Sequence, residues 1–162
     1  MKTGKVGAGL LDIEAKDNDA RVFLLFIQTA ELVLKCSEAV FNKAGLSVVK
    51  LMVLQLLQRY GGTLTPTDIA NLTLREKHDI TTLMRRMERA QLITTKRSET
   101  DNRSINVTIT EKGRRTIADT QPVGRSIYKN LMSSIPDSAY KDFEQSLKTL
   151  RQNAYDRLQS LK

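Results

Sequence analysis

The sequence contains one cysteine, one histidine and no tryptophan among its 162 residues. A single cysteine, Cys36, cannot close an intrachain disulfide, which is typical of proteins from a reducing compartment. The low aromatic content argues against an aromatic stacking platform for single-stranded nucleic acids. No apolar run reaches the roughly 18 to 20 residues that a membrane span needs, and the apolar stretch near the N-terminus is too short for a signal peptide. We therefore expect a cytoplasmic protein with no membrane segment.

Residue patterns typical of enzymes are also missing. The sequence has no Gly-rich phosphate loop, no nucleophile elbow and no pair of carboxylates near a histidine. His78 has no second histidine and no cysteine at metal-ligand spacing. The sequence therefore predicts no catalytic residues, no metal site and no cofactor.

Positive charge is abundant and unevenly distributed. Lys and Arg number 26 against 18 Asp and Glu, which gives a formal net charge of +8. Residues 74–115 alone hold 11 of these cations and six of the acids. Such a concentration of positive charge favours a polyanionic partner.

Hydrophobic periodicity and capping residues divide the chain into an ordered series of elements. Residues 1–16 contain three of the eight glycines and no clear period, so we expect a flexible N-terminal tail. The predicted elements that follow are a helix from Asp17 to about Ala44, a helix from Ser47 to Tyr60, a short strand at 63–64, a short helix from Pro66 to Asn71 or Leu72, a helix from Thr73 to Arg89, strands at 92–98 and 104–110, a helix from Thr110 towards Met132 with a kink or a break at Pro122, and a last helix from Pro136.

The segment Thr73–Arg89 combines an apolar stripe with an unusual polar face. Its apolar residues recur at i, i+3, i+4 and i+7 and would face a core: Ile80, Leu83, Met84 and Met87. Thr73 and Glu76 have the spacing of a capping box that would open this helix. The opposite face carries hydroxyls, arginines and a histidine, which can hydrogen-bond base edges and phosphates in a DNA groove. With the short helix before it, this segment predicts a helix-turn-helix, and a merely solvated face is the alternative.

A β-hairpin is predicted directly after this helix. In its second strand Ile105, Val107 and Ile109 alternate with polar residues, which indicates a strand with one buried face. The turn at 99–103 contains acidic and amide residues that tolerate turn geometry, and it ends at Arg103. A helix-turn-helix followed by a hairpin with a basic tip is a winged helix. Arg103 would enter an adjacent minor groove, with a solvated turn residue as the alternative.

The helices at both ends of the chain are amphipathic and have little else in the chain to pack on. Excess apolar surface on such helices suggests a partner from a second subunit. We therefore predict dimerisation helices at 17–46 and 114–162 and a winged helix-turn-helix lobe at 47–113. The predicted fold class is mainly α with a small β-hairpin wing.

The order of these elements, together with several short motifs, resembles the MarR family of bacterial and archaeal transcriptional regulators. The resemblance covers roughly residues 20–160 and is strongest from Thr65 to Gly113. The motifs that carry it are Ile69-Ala70, Ile80-Thr81-Thr82-Leu83, Arg86-Met87-Glu88, Leu92-Ile93, Asp101-Asn102-Arg103-Ser104 and Val107-Thr108-Ile109-Thr110-Glu111-Lys112-Gly113. The resemblance implies a homodimer on a pseudo-palindromic operator, with the second helix of each motif in the major groove and the wing arginine in the minor groove. Many relatives also bind small aromatic ligands between the DNA-binding lobe and the dimer helices, so it implies a small aromatic effector.

Residue by residue, the resemblance matches Arg103 to the family's wing arginine and Asp101 to the acid that orients it. Thr81 and the positions around it match the segment that faces the groove. These matches imply DNA contacts from both the wing and the second helix.

The sequence departs from the family pattern at four positions. Glu76 stands where Ser is usual, and His78 and Asp79 stand where Pro and Thr are frequent. Gln91 stands where Gly usually precedes Leu-Val. These departures leave the base contacts and the operator sequence open.

The predicted function is sequence-specific binding of double-stranded DNA by a homodimeric transcriptional regulator, expected to be a repressor that a small-molecule effector releases. A winged-helix module that binds a partner protein without DNA specificity is the alternative. The residues predicted to contact DNA are Thr65, Thr67, Arg75, Lys77, His78, Asp79, Thr81, Thr82, Arg85, Arg86, Arg97, Asp101, Asn102 and Arg103.

Two side chains have a second interpretation each. His78 is either a groove-facing donor or an uninvolved surface histidine. Cys36 is a redox candidate, because one branch of the MarR family senses peroxides through a cysteine in its first helix. A reactive thiol needs exposure and a nearby cation, and Lys35 is the only adjacent one. The sequence favours the other interpretation, in which Cys36 is a small buried residue of a dimerisation helix.

Overall fold

The computed structural model describes residues 17–97 and 104–161, which form six α-helices and a three-stranded sheet. The helices are α1 Asn18–Lys43, α2 Val48–Arg59, α3 Pro66–Thr73, α4 Lys77–Arg89, α5 Glu111–Met132 and α6 Tyr140–Ser160. The strands are β1 Thr63–Leu64, β2 Ile93–Arg97 and β3 Ile105–Ile109. The chain divides into two compact units between Val123 and Gly124, inside α5. The predicted fold class and the predicted order of elements are confirmed.

The first two helices begin and end where their capping residues predict. The Asp17 carboxylate accepts a hydrogen bond from the Asp19 backbone N–H at 2.9 Å, and the Ser47 hydroxyl accepts one from Lys50 N–H at 3.4 Å. Gly45, just after α1, has φ +74°, a left-handed conformation that favours glycine at a helix end. These caps fix the two helix boundaries within a residue or two of the prediction.

The start of α3 is a capping box, as predicted. Thr65 Oγ1 accepts a hydrogen bond from Asp68 N–H at 3.1 Å, and the Asp68 carboxylate accepts one from Thr65 N–H at 3.1 Å. Pro66 occupies the first helical position, where its missing N–H costs nothing.

The second predicted capping box is wrong. Thr73 is the last residue of α3, and its hydroxyl donates to the Ile69 carbonyl at 2.6 Å instead of capping the next helix. Leu74 then adopts a left-handed conformation with φ +52°, and α4 begins only at Lys77. The helix predicted from Thr73 is therefore four residues shorter at its start, and Arg75 lies in the turn before α4.

The three strands form an antiparallel sheet in the order β1-β3-β2. Ile93 pairs with Ile109 and Arg97 with Ile105, so β2 and β3 form the predicted hairpin. Val107 and Ile109 are buried on one face of β3, and β1 pairs with the other edge of that strand. The alternation of apolar and polar residues fixes this register, because a shift by one residue would turn Val107 and Ile109 towards solvent.

The hydrophobic core of the first unit lies between α2, α3, α4 and the sheet. Its largest fully buried side chains are Leu54, Leu57, Ile69, Ile80, Met87, Ile93, Val53 and Val107. Gly113 in the first turn of α5 allows that helix to approach the core closely, because a Cβ there would lie 2.4 Å from the Leu92 carbonyl oxygen. The core therefore packs against one face of α4 and leaves the other face exposed to solvent.

The terminal helices carry much exposed apolar surface. Phe41 is the only buried residue of α1, and α6 has no buried residue.

α5 is one uninterrupted helix from Glu111 to Met132, so Pro122 does not break it. Among the described helices, none is by itself long and apolar enough to cross a membrane, and only α1 and α2 taken together across an 86° bend meet that criterion.

Candidate nucleic-acid interface

A short turn sets α4 against α3. After the left-handed residue Leu74, the Arg75 backbone N–H donates to the Ala70 carbonyl at 3.0 Å, which ties the turn to the end of α3. Ile69 and Ala70 in α3 are buried, and so are Ile80 and Met87 in α4, so the two helices share one core. This arrangement is a helix-turn-helix whose second helix presents its outer face to solvent.

The two faces of α4 differ in polarity as the sequence predicts. Ile80 and Met87 are fully buried, Met84 is buried and Leu83 is half-buried. The exposed residues of α4 include every residue of this helix that was predicted to contact DNA: Lys77, His78, Asp79, Thr81, Thr82, Arg85 and Arg86. Arg89 is exposed on the same side.

The small polar residues of α4 differ in what they offer to a ligand. Thr81 Oγ1 donates to the Lys77 carbonyl at 2.9 Å, so its hydroxyl hydrogen is engaged and the oxygen can only accept from a ligand. Thr82 is exposed, and no hydrogen bond within residues 17–97 and 104–161 engages its hydroxyl. His78 Nε2 lies 3.2 Å from Asp79 Oδ1, and these side chains are 80% and 55% exposed.

The two predicted threonines of α3 have different roles. The Thr65 hydroxyl is fully used by the capping box, since it also donates to Asp68 Oδ2 at 2.6 Å. Thr67, one residue into α3, is exposed. The structure thus leaves the hydroxyl of Thr67 available, while that of Thr65 shapes the start of α3.

The cations on and beside α4 are not neutralised by acids in the described part of the chain. Within residues 17–97 and 104–161, no ion pair involves Arg75, Lys77, Arg85 or Arg86. Arg97, at the end of β2, is also exposed and forms no ion pair with a residue in these ranges. By contrast, Lys35, Arg115 and Lys148 each pair with an acid four residues earlier in their own helices. Exposed, unpaired arginines on one face provide a positive surface for a polyanion.

One residue at this surface was not predicted to have a role. Glu88, near the end of α4, accepts hydrogen bonds from Thr95 N–H at 2.9 Å and from Thr95 Oγ1 at 2.6 Å. These bonds join the second helix of the motif to β2 of the hairpin. An acid between Arg85–Arg86 and Arg89, on an otherwise basic helix end, was the signal in the sequence that could have indicated it.

Other predicted residues lie elsewhere. Asp101, Asn102 and Arg103 at the predicted wing tip fall outside the described residues, so their DNA contacts stay a prediction.

Cys36 is exposed in the single chain, so burial of its thiol would need a partner. Lys35 contacts the Glu31 carboxylate at 2.6 Å, and this hydrogen bond and the charge of Lys35 lower the pKa of Glu31. The described residues contain no group of three or more His, Cys, Asp or Glu side chains that could hold a metal ion.

Residues 44–104 match the model of the MarR family. The MarR resemblance is confirmed. The matched segment contains the whole helix-turn-helix and β2, the part of the chain that forms the exposed basic surface. No curated protein sequence matches the chain.

Solved structures extend the MarR-type fold to most of the chain. AbsC, a MarR family transcriptional regulator from Streptomyces coelicolor, aligns over 88% of this chain and 97% of its own, with a TM-score of 0.79 and 19% identity. The organohalide-sensing regulator RdhR-CbdbA1625 in its 2,4-dichlorophenol-bound form covers 93% of this chain and 89% of its own, with a TM-score of 0.77 and 21% identity. MepR of S. aureus, in complex with DNA, covers 80% of this chain and 95% of its own, with a TM-score of 0.71 and 20% identity. At these identities the structures show a common fold.

Proposed function

We propose that this MarR-like protein is a transcriptional regulator that binds double-stranded DNA in a sequence-specific manner through α4. The observation that carries the proposal is the outer face of α4, where short polar side chains lie beside arginines that form no ion pair within residues 17–97 and 104–161, opposite the buried Ile80, Met84 and Met87. A helix fixed from behind by the core can enter a major groove without rearrangement. Its arginines would neutralise phosphates, and its small polar residues would contact base edges. The S. aureus MepR–DNA complex, which shares the fold, supports this assignment.

The protein would act as a homodimer on a pseudo-palindromic operator. Support comes from the exposed apolar side chains of the terminal helices. On α1, Phe23, Leu25 and Leu34 are all at least half exposed, and on α6 the apolar residues Phe143 and Leu147 are exposed as well. Apolar helix faces of this extent are rare on monomers and typical of subunit interfaces. Two copies of α4 would then meet half-sites about one helical turn apart.

Repression is the expected outcome where such an operator overlaps a promoter, and a small aromatic effector is the proposed releasing signal. The effector proposal is supported by the dichlorophenol bound to the relative RdhR-CbdbA1625. The activity proposed for this chain is binding rather than catalysis, in the cytoplasm where bacterial or archaeal DNA lies.

Fluorescence anisotropy with duplexes tiling the DNA upstream of the protein's own coding sequence would test this function. We expect at least one duplex to bind more tightly than a scrambled duplex of the same composition, with affinity that falls as salt rises. Equal affinity for native and scrambled duplexes would overturn the proposal. Salt-independent binding to a protein instead of DNA would favour the interaction-module alternative.

A further inference from the structure

Asp79 is an acid in the first turn of the helix that is proposed to enter the groove. Acids at the third helical position often close a capping box, and Asp68 does so at that position of α3. Asp79 occupies the same position of α4, yet within residues 17–97 and 104–161 it makes no hydrogen bond to Glu76, whose side chain also caps nothing. Its Oδ1 contacts His78, and its side chain remains 55% exposed. The carboxylate is therefore directed outward and is not used to close the helix.

A carboxylate on this face has few compatible positions on DNA. Phosphates repel it, and guanine and thymine present only acceptors or a methyl group in the major groove. Adenine places its amino group beside the acceptor N7, which would also repel a carboxylate oxygen. Cytosine presents the N4 amino group as its donor, and acids accept from that group in protein–DNA complexes. Cytosine is therefore the base that suits Asp79.

We propose that Asp79 is a specificity-determining residue that accepts a hydrogen bond from the N4 amino group of a cytosine in each half-site. The contact of His78 with Oδ1 leaves Oδ2 for the base. The proposal rests on the proposed function, since it concerns which base pair α4 selects. It also gives a role to a departure from the family pattern, in which Thr is frequent at the position of Asp79.

Selection of bound duplexes from a random 20-base-pair library, followed by sequencing, would test the proposal on the full-length protein. The variants are Asp79→Asn, Asp79→Ala and, as a matched control, Asp119→Asn, which removes an exposed acid of α5 outside the proposed DNA-binding surface. With the native protein we expect a C·G pair at one position of each half-site. Asp79→Asn should change that position to A·T, because an amide can bond adenine N6 and N7 together, and leave the other positions unchanged. Asp79→Ala should lose the preference at that position alone, and Asp119→Asn should keep the native motif.

Fluorescence anisotropy with the selected duplex and with its C·G-to-A·T derivative measures the ratio of the two affinities. The native protein should discriminate by about 5- to 100-fold, and Asp79→Asn should remove or reverse this ratio. An unchanged motif for Asp79→Asn, or a uniform loss of affinity for all sequences, would overturn the inference while leaving the proposed function intact. If the native protein enriched no sequence, the proposed function would fail and the inference with it.

Discussion

The carboxylate of Glu88 joins α4 to β2 through two hydrogen bonds from Thr95, at 2.9 Å from N–H and 2.6 Å from Oγ1. Glu88 lies on the helix that carries Arg85 and Arg86, and Thr95 lies two residues before Arg97 at the end of β2. The pair therefore helps to fix the orientation of the hairpin relative to the helix, together with the buried side chains of Ile93 and Met87. In the proposed complex, this orientation decides whether helix and hairpin can contact DNA at the same time.

Replacement of Glu88 by alanine should weaken DNA binding more than it weakens the fold. Both bonds are lost, and because the site is exposed we expect a stability loss of about 1 kcal/mol, measured by urea denaturation. DNA affinity should fall further than this stability loss explains, because β2 and its basic residues lose their fixed orientation. Thr95→Val is the matched control, since it keeps the backbone bond and removes only the hydroxyl bond. A native affinity for Glu88→Ala would contradict the proposed coupling.

Arg85 and Arg86 should contribute to affinity through phosphate contacts. Replacing either arginine by alanine should weaken binding to every duplex. The logarithm of the association constant should then fall less steeply with the logarithm of salt concentration, with the slope smaller in magnitude by about 1 per half-site. Lys141→Ala removes an exposed cation near the start of α6 and should leave the slope unchanged. Salt titrations by anisotropy would measure all three variants. An equal change for Lys141→Ala would indicate a general charge effect instead of a local contact.

The exposed apolar stripe of α6 should be required for dimerisation. Leu147→Glu places a charge on that stripe, where burial without a partner is costly, so the variant should sediment as a monomer at micromolar concentration. Gln145→Glu introduces the same residue on the opposite side of the helix and should remain dimeric. Analytical ultracentrifugation distinguishes the two results. A dimer for Leu147→Glu, or a native monomer, would contradict the proposed interface.

The sequence predicted most of the fold because local signals and long-range packing agree in most elements. The alternation in β3 and the apolar stripe of α4 placed Val107, Ile109, Ile80 and Met87 in the core, where the structure has them. Thr73 was misassigned because a threonine hydroxyl can either cap the following helix or bond the carbonyl four residues before it, and spacing alone cannot decide between the two.

The role of Glu88 could not be predicted from local sequence. Its partner Thr95 lies seven residues away in a different element, so their contact depends on how the hairpin packs against α4. The exposure of the α4 residues followed from periodicity, whereas the outward direction of the Asp79 carboxylate required the geometry of the first turn.

Gly113 should be intolerant of any side chain. A Cβ would meet the Leu92 carbonyl oxygen at 2.4 Å and Ile109 Cγ1 at 2.8 Å, and a backbone oxygen cannot move aside as a flexible side chain can. Gly113→Ala should therefore destabilise the protein by about 1 to 3 kcal/mol or more, despite the better helix propensity of alanine. Lys112→Ala, at the exposed neighbouring position, should have little effect. Thermal denaturation of both variants tests this, and a stabilised Gly113→Ala would contradict the close approach of α5.

Gln91 should be a site where glycine stabilises the protein. The residue has φ +60°, because its N–H donates to the Glu88 carbonyl at 2.8 Å and its own carbonyl accepts from Thr110 Oγ1 at 2.7 Å. A left-handed conformation costs a residue with a Cβ about 1 to 2 kcal/mol, whereas glycine adopts it readily. The greater freedom of glycine in the unfolded chain offsets part of the gain, so we expect Gln91→Gly to raise the free energy of unfolding by about 0.5 to 1 kcal/mol. Gln91→Ala keeps the Cβ and therefore the strain, so it should not be stabilised. If both variants had the same midpoint in thermal denaturation, the gain could not be attributed to the backbone conformation at this turn.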